Sequence, residues 1–246
     1  MKHKNNSHFL APIVILVRPQ LAQNMGMVAR AMMNCGLSEL RLVAPREDHL
    51  SSEALSAASG AQAILEEAKV YPTIEDALFE LNYVLATTAR VRGINKKVYE
   101  PGESMCLVND KIKSNQKVGI LFGPERTGLE NKDIIFADAL LTIPLNPIHP
   151  SLNLAQAVLL IGWSWWQEAT QNKTINKKTL KIASKNELNV FLKFLIQQLE
   201  NKRYFTIKNK QKRMVQNLEN IFIKSALSSS EIKTLYRVVK RLSQDN

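Results

Sequence analysis

The chain has 246 residues, 45% of them hydrophobic, which is enough for one well-packed α/β domain with a small appendage or for two small domains. It has no run of the roughly 18 apolar residues that a membrane span needs, no apolar stretch near its start that resembles a signal peptide, and no metal-ligand spacing among its two cysteines and four histidines, so we expect a cytoplasmic protein without a metal. The net charge of +11 is uneven: residues 171–246 hold 17 Lys and Arg against five Asp and Glu, a balance of +12, and residues 1–170 hold 16 against 17, a balance of −1.

Short β-branched runs alternate with helical patterns in the first 150 residues. The runs predicted as strands are 12–17, 39–45, 82–89, 117–123 and 139–144. Several are continuously apolar, which is typical of parallel strands that are buried on both faces. The helices predicted between them are 24–35, 52–67, 74–80 and 131–137. This order predicts an α/β domain with a parallel sheet flanked by helices, in which ligands bind where strands end and helices begin.

The remainder of the chain is predicted to be helical. A helix rich in Leu, Ala and Trp is predicted over 153–169 and completes a domain spanning 12–170, after a disordered tail at 1–11. The polar, weakly periodic residues 171–186 are interpreted as a linker, and 187–246 as a small basic all-α module. Its positive charge favours a polyanionic partner, although lysines that only solvate helix faces explain the same composition.

Polar residues follow two of the predicted strands. In "NMGMVAR" (24–30), Asn24 is a candidate helix N-cap, Gly26 allows a close approach of another group in the first turn, and Arg30 follows. Taken alone, this stretch favours Arg30 as a solvated helix residue. In "ATTARVRG" (86–93), two threonines and two arginines suit an anionic ligand or a phosphate backbone.

Two further loops carry distinctive sequences. "FGPERTGL" (122–129) lacks the glycine patterns of a P-loop and of a dinucleotide fold, which disfavours phosphate cradling. It leaves a tight loop whose backbone groups can bind an adenine edge. In "HPSLNLAQAV" (149–158), prolines stiffen the approach to a helix that Ser151 is placed to cap, but capping by Ser151 does not explain Asn153.

Three motifs, taken together and in this order, resemble those of the SpoU/TrmH family of knotted methyltransferases in the SPOUT superfamily. They are N-x-G-x-x-A-R (24–30), F-G-x-E-x-x-G-L (122–129) and S-L-N-L-x-x-A (151–157), and the resemblance covers residues 12–169. The segment "IFIKSALSSSEIKTLYRVVKRL" (221–242) resembles the extension of the TrmJ branch, which methylates the ribose 2′-oxygen of tRNA at nucleotide 32.

The resemblance implies a fold, a cofactor and partners. The carboxyl-terminal part of the sheet would be threaded into a deep trefoil knot, which periodicity and composition do not predict. The protein would bind S-adenosylmethionine and RNA, with tRNA favoured. It would form a homodimer whose site is built from both subunits, with Gly26 at the packed subunit contact.

The resemblance also implies roles for residues of the matching motifs. The implied cofactor-binding residues are Thr87, Thr88, Leu121, Phe122, Gly123, Ile143, Ser151, Leu152 and Asn153. The implied catalytic residues are Arg30, Ser151 and Asn153, and the implied RNA-binding residues are Arg30, Arg92 and Arg126. Asn24, Gly26, Glu125 and Gly128 would support the site, and no metal would be needed.

Several alternatives stay open. Arg30 acts either as the base or as a donor that stabilises the developing alkoxide while Ser151 or water passes the proton, since arginine is a poor base. The substrate is tRNA at nucleotide 32, another tRNA position or ribosomal RNA. The chain is alternatively an RNA-binding protein of this fold without activity. In the basic module, Lys208, Lys210, Lys212 and Arg213 are expected to contact RNA phosphates.

Overall fold

A computed structural model describes residues 10–89, 95–170 and 182–244. Most of the predicted disordered tail, most of the predicted linker and Arg92 lie outside the described residues. No helix in the described ranges is both long enough and apolar enough to cross a membrane.

Seven parallel strands form one sheet. They are β1 (Ile13–Val17), β2 (Leu40–Val43), β3 (Lys69–Tyr71), β4 (Tyr83–Thr87), β5 (Val98–Tyr99), β6 (Val118–Phe122) and β7 (Ala139–Leu141). Their order in the sheet is β3-β2-β1-β6-β4-β7-β5, and every neighbouring pair is parallel. The predicted parallel sheet is therefore confirmed, whereas the trefoil knot stays a prediction.

Ten helices accompany the sheet in the described ranges. They are α1 (Ala22–Asn34), α2 (Ser52–Ala58), α3 (Gln62–Glu66), α4 (Ile74–Leu78), α5 (Pro101–Lys113), α6 (Asn131–Ile134), α7 (Leu154–Thr170), α8 (Lys185–Asn201), α9 (Lys208–Lys224) and α10 (Ser229–Ser243).

The sheet is buried on both faces, as its continuous apolar strands predicted. All five residues of β1 are buried, and successive side chains enter opposite cores. Val14 and Leu16 pack in the core that includes residues of α1, α5 and α7. Ile13, Ile15 and Val17 pack in a second core that includes residues of α4 and α6. The helices therefore cover both faces of the sheet, and the carboxyl ends of its strands remain open to a ligand.

Some predicted boundaries were wrong. The single helix predicted over 52–67 is divided into α2 and α3, because Ser59 and Gly60 have positive φ angles of 42° and 95° that no helix accommodates. The short strands β3 and β5 and the helix α5 were not predicted. Pro101 occupies the first turn of α5, where a missing N–H costs nothing, rather than breaking the helix.

The three helices of the carboxyl-terminal module form their own small core, in which Leu188, Phe191, Leu192, Ile223 and Ile232 are buried. Ser184 caps α8 and Ser228 caps α10, each in a reciprocal capping box with the glutamate three residues later. Helix α8 begins at Lys185, inside the segment that was predicted as a linker.

This module docks on the sheet at the amino ends of β4 and β7. The buried Lys185 ammonium pairs with the Asp138 carboxylate, whose other oxygen accepts a hydrogen bond from the backbone N–H of Val84 at 2.7 Å. The backbone N–H of Lys185 donates to the Leu81 carbonyl at 2.6 Å. Asn82 Nδ2 also donates to the carbonyl of Ile182 at 3.1 Å. The module is thus attached to the end of the sheet opposite the carboxyl ends of the strands.

Candidate functional site

A pocket of about 480 Å³ opens at the carboxyl ends of β4, β6 and β7. Its walls are formed by Thr87, Thr88, Ala89, the loop 122–129, Leu141, Ile143, Leu145, Pro150, Ser151, Leu152, Leu154 and Ala157. The three segments that the sequence singled out at the ends of these strands therefore meet at one pocket.

Seven of the nine residues implied as cofactor ligands line this pocket, namely Thr87, Thr88, Phe122, Gly123, Ile143, Ser151 and Leu152. Leu121 and Asn153 are not among the lining residues. Leu121 is fully buried in β6, and its carbonyl oxygen accepts a hydrogen bond from Thr87 Oγ1 at 2.9 Å. Leu121 thus reaches the pocket only through the threonine that it orients.

The loop 122–129 is folded back on itself so tightly that Gly123 has no room for a side chain. A Cβ atom at Gly123 would lie 2.2 Å from the Leu129 nitrogen and 2.3 Å from the Gly128 carbonyl carbon. Gly128 has a positive φ of 64°, and its N–H donates to the Pro124 carbonyl at 2.8 Å. Both glycines are therefore required for a compact wall that exposes backbone groups to the pocket.

Glu125, in this loop, holds the amino end of α1. Its carboxylate accepts hydrogen bonds from the backbone N–H groups of Gln20 at 2.9 Å and Leu21 at 3.3 Å, and from Asn24 Nδ2 at 2.9 Å. A second carboxylate, that of Glu47, accepts from the Ala22 N–H at 2.6 Å. Two negative charges thus lie where the helix dipole favours them.

Asn24 was expected to cap α1, and that expectation is wrong. The helix already begins at Ala22, and Asn24 lies within its first turn with only 5% of its surface exposed. Its amide donates to Glu125, and its Oδ1 accepts a hydrogen bond from Asn153 Nδ2 at 3.0 Å. Asn24 therefore connects the loop 122–129 to the start of α7.

The helix cap expected of Ser151 is provided by Asn153. Asn153 Oδ1 accepts from the Ala155 N–H at 2.8 Å, and Gln156 Oε1 in turn accepts from the Asn153 N–H at 3.2 Å. This reciprocal arrangement satisfies two N–H groups at the start of α7. Ser151 lies exposed on the pocket wall and does not cap α7.

The other implied site residues are distributed less compactly. Gly26 lets α1 approach α2 of the same chain, because a Cβ there would lie 2.1 Å from the Ala54 carbonyl oxygen. The contact between subunits that was expected at Gly26 stays a prediction. Arg126 lines the pocket, and Arg92 is outside the described residues. Arg30 is exposed on α1 and is not among the lining residues of its own chain.

One contact near the pocket was not foreseen. The guanidinium of Arg18, just after β1, binds the buried carboxylate of Asp133 through two hydrogen bonds of 3.1 and 2.5 Å. This hydrogen bonding raises the pKa of Arg18 above its ordinary value. The pair joins the end of β1 to α6, next to the loop 122–129, and sequence spacing carried no signal for it because 115 residues separate the partners.

No cluster of three or more His, Cys, Asp or Glu side chains that could hold a metal ion occurs in the part of the chain that the structure describes.

Residues 11–163 match the SpoU rRNA Methylase family. The chain belongs to this family. The SpoU match ends within α7 and so excludes the carboxyl-terminal module.

Two of three similar proteins match nearly the whole chain, beyond the part that matches the SpoU family. The tRNA (cytidine/uridine/adenosine-2′-O-)-methyltransferase TrmJ of Pseudomonas aeruginosa is 32% identical over 232 residues, which are 90% of each chain. The uncharacterized tRNA/rRNA methyltransferase LasT of Escherichia coli is 37% identical over 147 residues, 60% of this chain, and the match spans 64% of its length. The crystal structure of TrmJ from Z. mobilis ZM4 superimposes with a TM-score of 0.86 at 38% identity, covering 95% of this chain and all of that one.

Proposed function

We propose that the protein is an S-adenosylmethionine-dependent methyltransferase that methylates a ribose 2′-hydroxyl of tRNA, at nucleotide 32. The main support is the pocket, which is lined by residues of two of the three SpoU motif segments, 122–129 and 151–157, in a chain that belongs to the SpoU family. Further support comes from the relative named as a tRNA 2′-O-methyltransferase, which matches this chain over 90% of its length, including the helical module.

The pocket has the properties that this cofactor requires. Its volume of about 480 Å³ lies within the range of roughly 300 to 1,000 Å³ that is typical of small-molecule sites. Phe122, Leu145 and Leu152 supply apolar contact, and the backbone of the tight loop closed by Gly123 and Gly128 supplies donors and acceptors for a purine edge. The bound cofactor supplies an electrophilic methyl group, so the remaining task of the protein is to align the acceptor and remove its proton.

Alignment is the principal contribution of the protein to this chemistry. Holding two reactants in line for displacement lowers the activation barrier by roughly 7 to 11 kcal/mol. We propose that Ser151, exposed on the pocket wall, hydrogen-bonds the acceptor ribose, and that Arg126, also on this wall, binds an RNA phosphate. Asn153 acts by fixing the start of α7, since its side chain is committed to Ala155 and Asn24.

We assign Arg30 to the pocket of a second subunit. It is exposed on α1 and does not line the pocket of its own chain. Helix α1 packs against α7. On α7 the side chains of Leu159, Leu160, Trp163 and Trp166 are 40 to 55% exposed and share one face. A homodimer formed through this apolar face buries it and brings Arg30 to the partner. There Arg30 stabilises the developing alkoxide or serves as the base.

The proposed activity is tested by methyl transfer from labelled S-adenosylmethionine to unmodified tRNA transcripts, followed by mapping of the modified nucleotide. Label on the ribose of nucleotide 32 is the expected result. Label on another ribose refutes the position and retains the enzyme. Absence of label on tRNA, with cofactor binding demonstrated separately, refutes the substrate, and ribosomal RNA is then assayed.

A mixing experiment tests the shared site. Arg30→Ala and Ser151→Ala dimers are each expected to be inactive. If Arg30 serves the partner, each mixed dimer has one intact site, and an equal mixture recovers about a quarter of the wild-type rate. No recovery from demonstrably mixed dimers refutes the shared site, since Arg30 would then serve its own chain.

A further inference from the structure

An isoleucine is held almost fully in solvent beside the pocket. The Ile148 side chain is 91% exposed, more than any other large apolar side chain in the described ranges. It belongs to the segment that links β7 to α7, and it is not among the residues that line the cofactor pocket. On either side of Ile148 the same segment lines the pocket, at Leu145 before it and at Pro150 and Ser151 after it.

This exposure is a property of a constrained turn. Asn146 Oδ1 accepts from the Ile148 N–H at 3.0 Å, and the Asn146 carbonyl accepts from the His149 N–H at 2.9 Å. Pro147 and Pro150 flank the two residues and restrict the backbone further. The turn therefore holds Ile148 outward. Because its backbone is already restricted, little further conformational entropy is lost when a ligand binds to Ile148.

The location of this turn favours RNA as the group that covers Ile148. The acceptor ribose must come into contact with the methyl donor in the pocket, so the RNA strand passes over Ser151. Three residues of chain span at most about 11 Å, which places Ile148 beside the same strand. The apolar surface that we assign to a second copy of the chain lies instead on α7.

We propose that Ile148 is a substrate-contact residue that packs against an RNA base next to the methylated nucleotide. The apolar side chain covers the face of an unstacked base and so holds the strand with its target ribose over the pocket. Such packing accepts any base, because every base has an apolar face. This inference rests on the proposed function and adds to it a binding contact outside the recognised motifs.

The test compares steady-state kinetics of Ile148→Ala, Ile148→Trp and a control, Val70→Ala. Val70 is a 52% exposed apolar residue of β3, at the opposite edge of the sheet. Ile148→Ala is expected to raise the KM for tRNA by about 5- to 10-fold with no change in cofactor Kd or in Tm. Ile148→Trp is expected to have a KM for tRNA equal to or lower than that of the wild type, since an aromatic side chain stacks better on a base. Val70→Ala is expected to match the wild type.

Crosslinking identifies the RNA contact directly. A photoreactive maleimide on Ile148→Cys, with the exposed Cys106 replaced by serine, is expected to label nucleotides adjacent to the methylated one. An unchanged KM in Ile148→Ala overturns the inference, as does dissociation of the dimer, which would show that a second copy covers Ile148. Inactivity of the wild-type protein on tRNA instead overturns the proposed function, so the two failures are distinguishable.

Discussion

Asn153 Nδ2 donates to Asn24 Oδ1 at 3.0 Å, across 129 residues of sequence. Because Asn24 also donates to Glu125, one chain of hydrogen bonds joins all three family motifs. The carboxamide is suited to this middle position, since it donates to a carboxylate on one side and accepts from an amide on the other. The amino ends of α1 and α7 and the loop 122–129 are thereby held in one arrangement around the pocket.

Replacement of the middle group should disrupt this chain. Asn24→Asp places a carboxylate against Glu125 in a buried site, so we expect the free energy of unfolding to fall by about 2 to 4 kcal/mol and cofactor binding to weaken. Urea unfolding and titration calorimetry measure the two effects. Gln23→Glu makes the same chemical change at the exposed neighbouring position and should leave both near the wild-type values. Adding Glu125→Gln to Asn24→Asp should recover at least half of the loss, and failure to do so would show that the two side chains are not coupled.

The two polar residues at the start of α7 should respond differently to substitution. Asn153→Ala removes a helix cap and the contact with Asn24, and should lower the free energy of unfolding by about 1 to 2 kcal/mol. Ser151→Ala should change it by less than about 0.5 kcal/mol yet reduce turnover. Asn153→Ser, which retains a capping oxygen, should recover part of the stability. Equal destabilisation by Ser151→Ala and Asn153→Ala would contradict the assignment of the cap.

Stability should depend on pH through Lys96. Its ammonium is buried and donates to the carbonyls of Ile135 at 3.1 Å and Ala137 at 2.5 Å. Burial lowers the pKa of Lys96 from 10.5 to about 8. Between these values the unfolded chain binds more protons than the folded one, so the unfolding free energy attributable to Lys96 rises with pH by up to about 1.4 kcal/mol per pH unit. Well below pH 8 both states bind the proton, and its contribution is constant.

Urea unfolding between pH 8 and 10 measures this slope. Lys96→Met should reduce the rise of the unfolding free energy with pH relative to the wild type. The exposed neighbour provides a matched control, and Lys97→Met should retain the wild-type slope. Identical slopes for the two variants would show that Lys96 is not the group that titrates in this window.

The basic residues of α9 should contribute to the salt dependence of tRNA binding. Deletion of the module would leave the partly buried Asp138 without Lys185, so substitution of exposed side chains is the cleaner test. Lys210→Gln, Lys212→Gln and Arg213→Gln should each reduce the slope of log Kobs against log salt by about 0.7 to 0.9 for every phosphate that the substituted side chain no longer neutralises. Lys69→Gln on β3 should leave it unchanged. A slope that persists in the triple variant would assign α9 to packing alone.

Local patterns predicted the parallel sheet and the loops that meet at the pocket, but not the hydrogen bonds that join these loops to the helices. "IVILV" predicts a buried parallel strand because every residue of β1 is apolar, whereas the two residues of β5 form a strand only through their pairing with β7. Asn24 fits the local preference of an N-cap. The cap preference was overridden because Glu125, 101 residues later, already holds the start of α1. Contacts at such separations leave no local pattern in a single sequence.

The docking of the helical module has a consequence for the size of the substrate. The module contacts the amino ends of β4 and β7, and the pocket lies at their carboxyl ends. A five-residue parallel strand is about 16 Å long, so if the module binds RNA at the end of the sheet where it docks, an RNA that also reaches the pocket of the same subunit must extend at least that far. A dinucleotide is too short to do so. If both surfaces bind RNA, a folded RNA gains affinity from the two at once, and we expect the enzyme to discriminate by length before it reads any base.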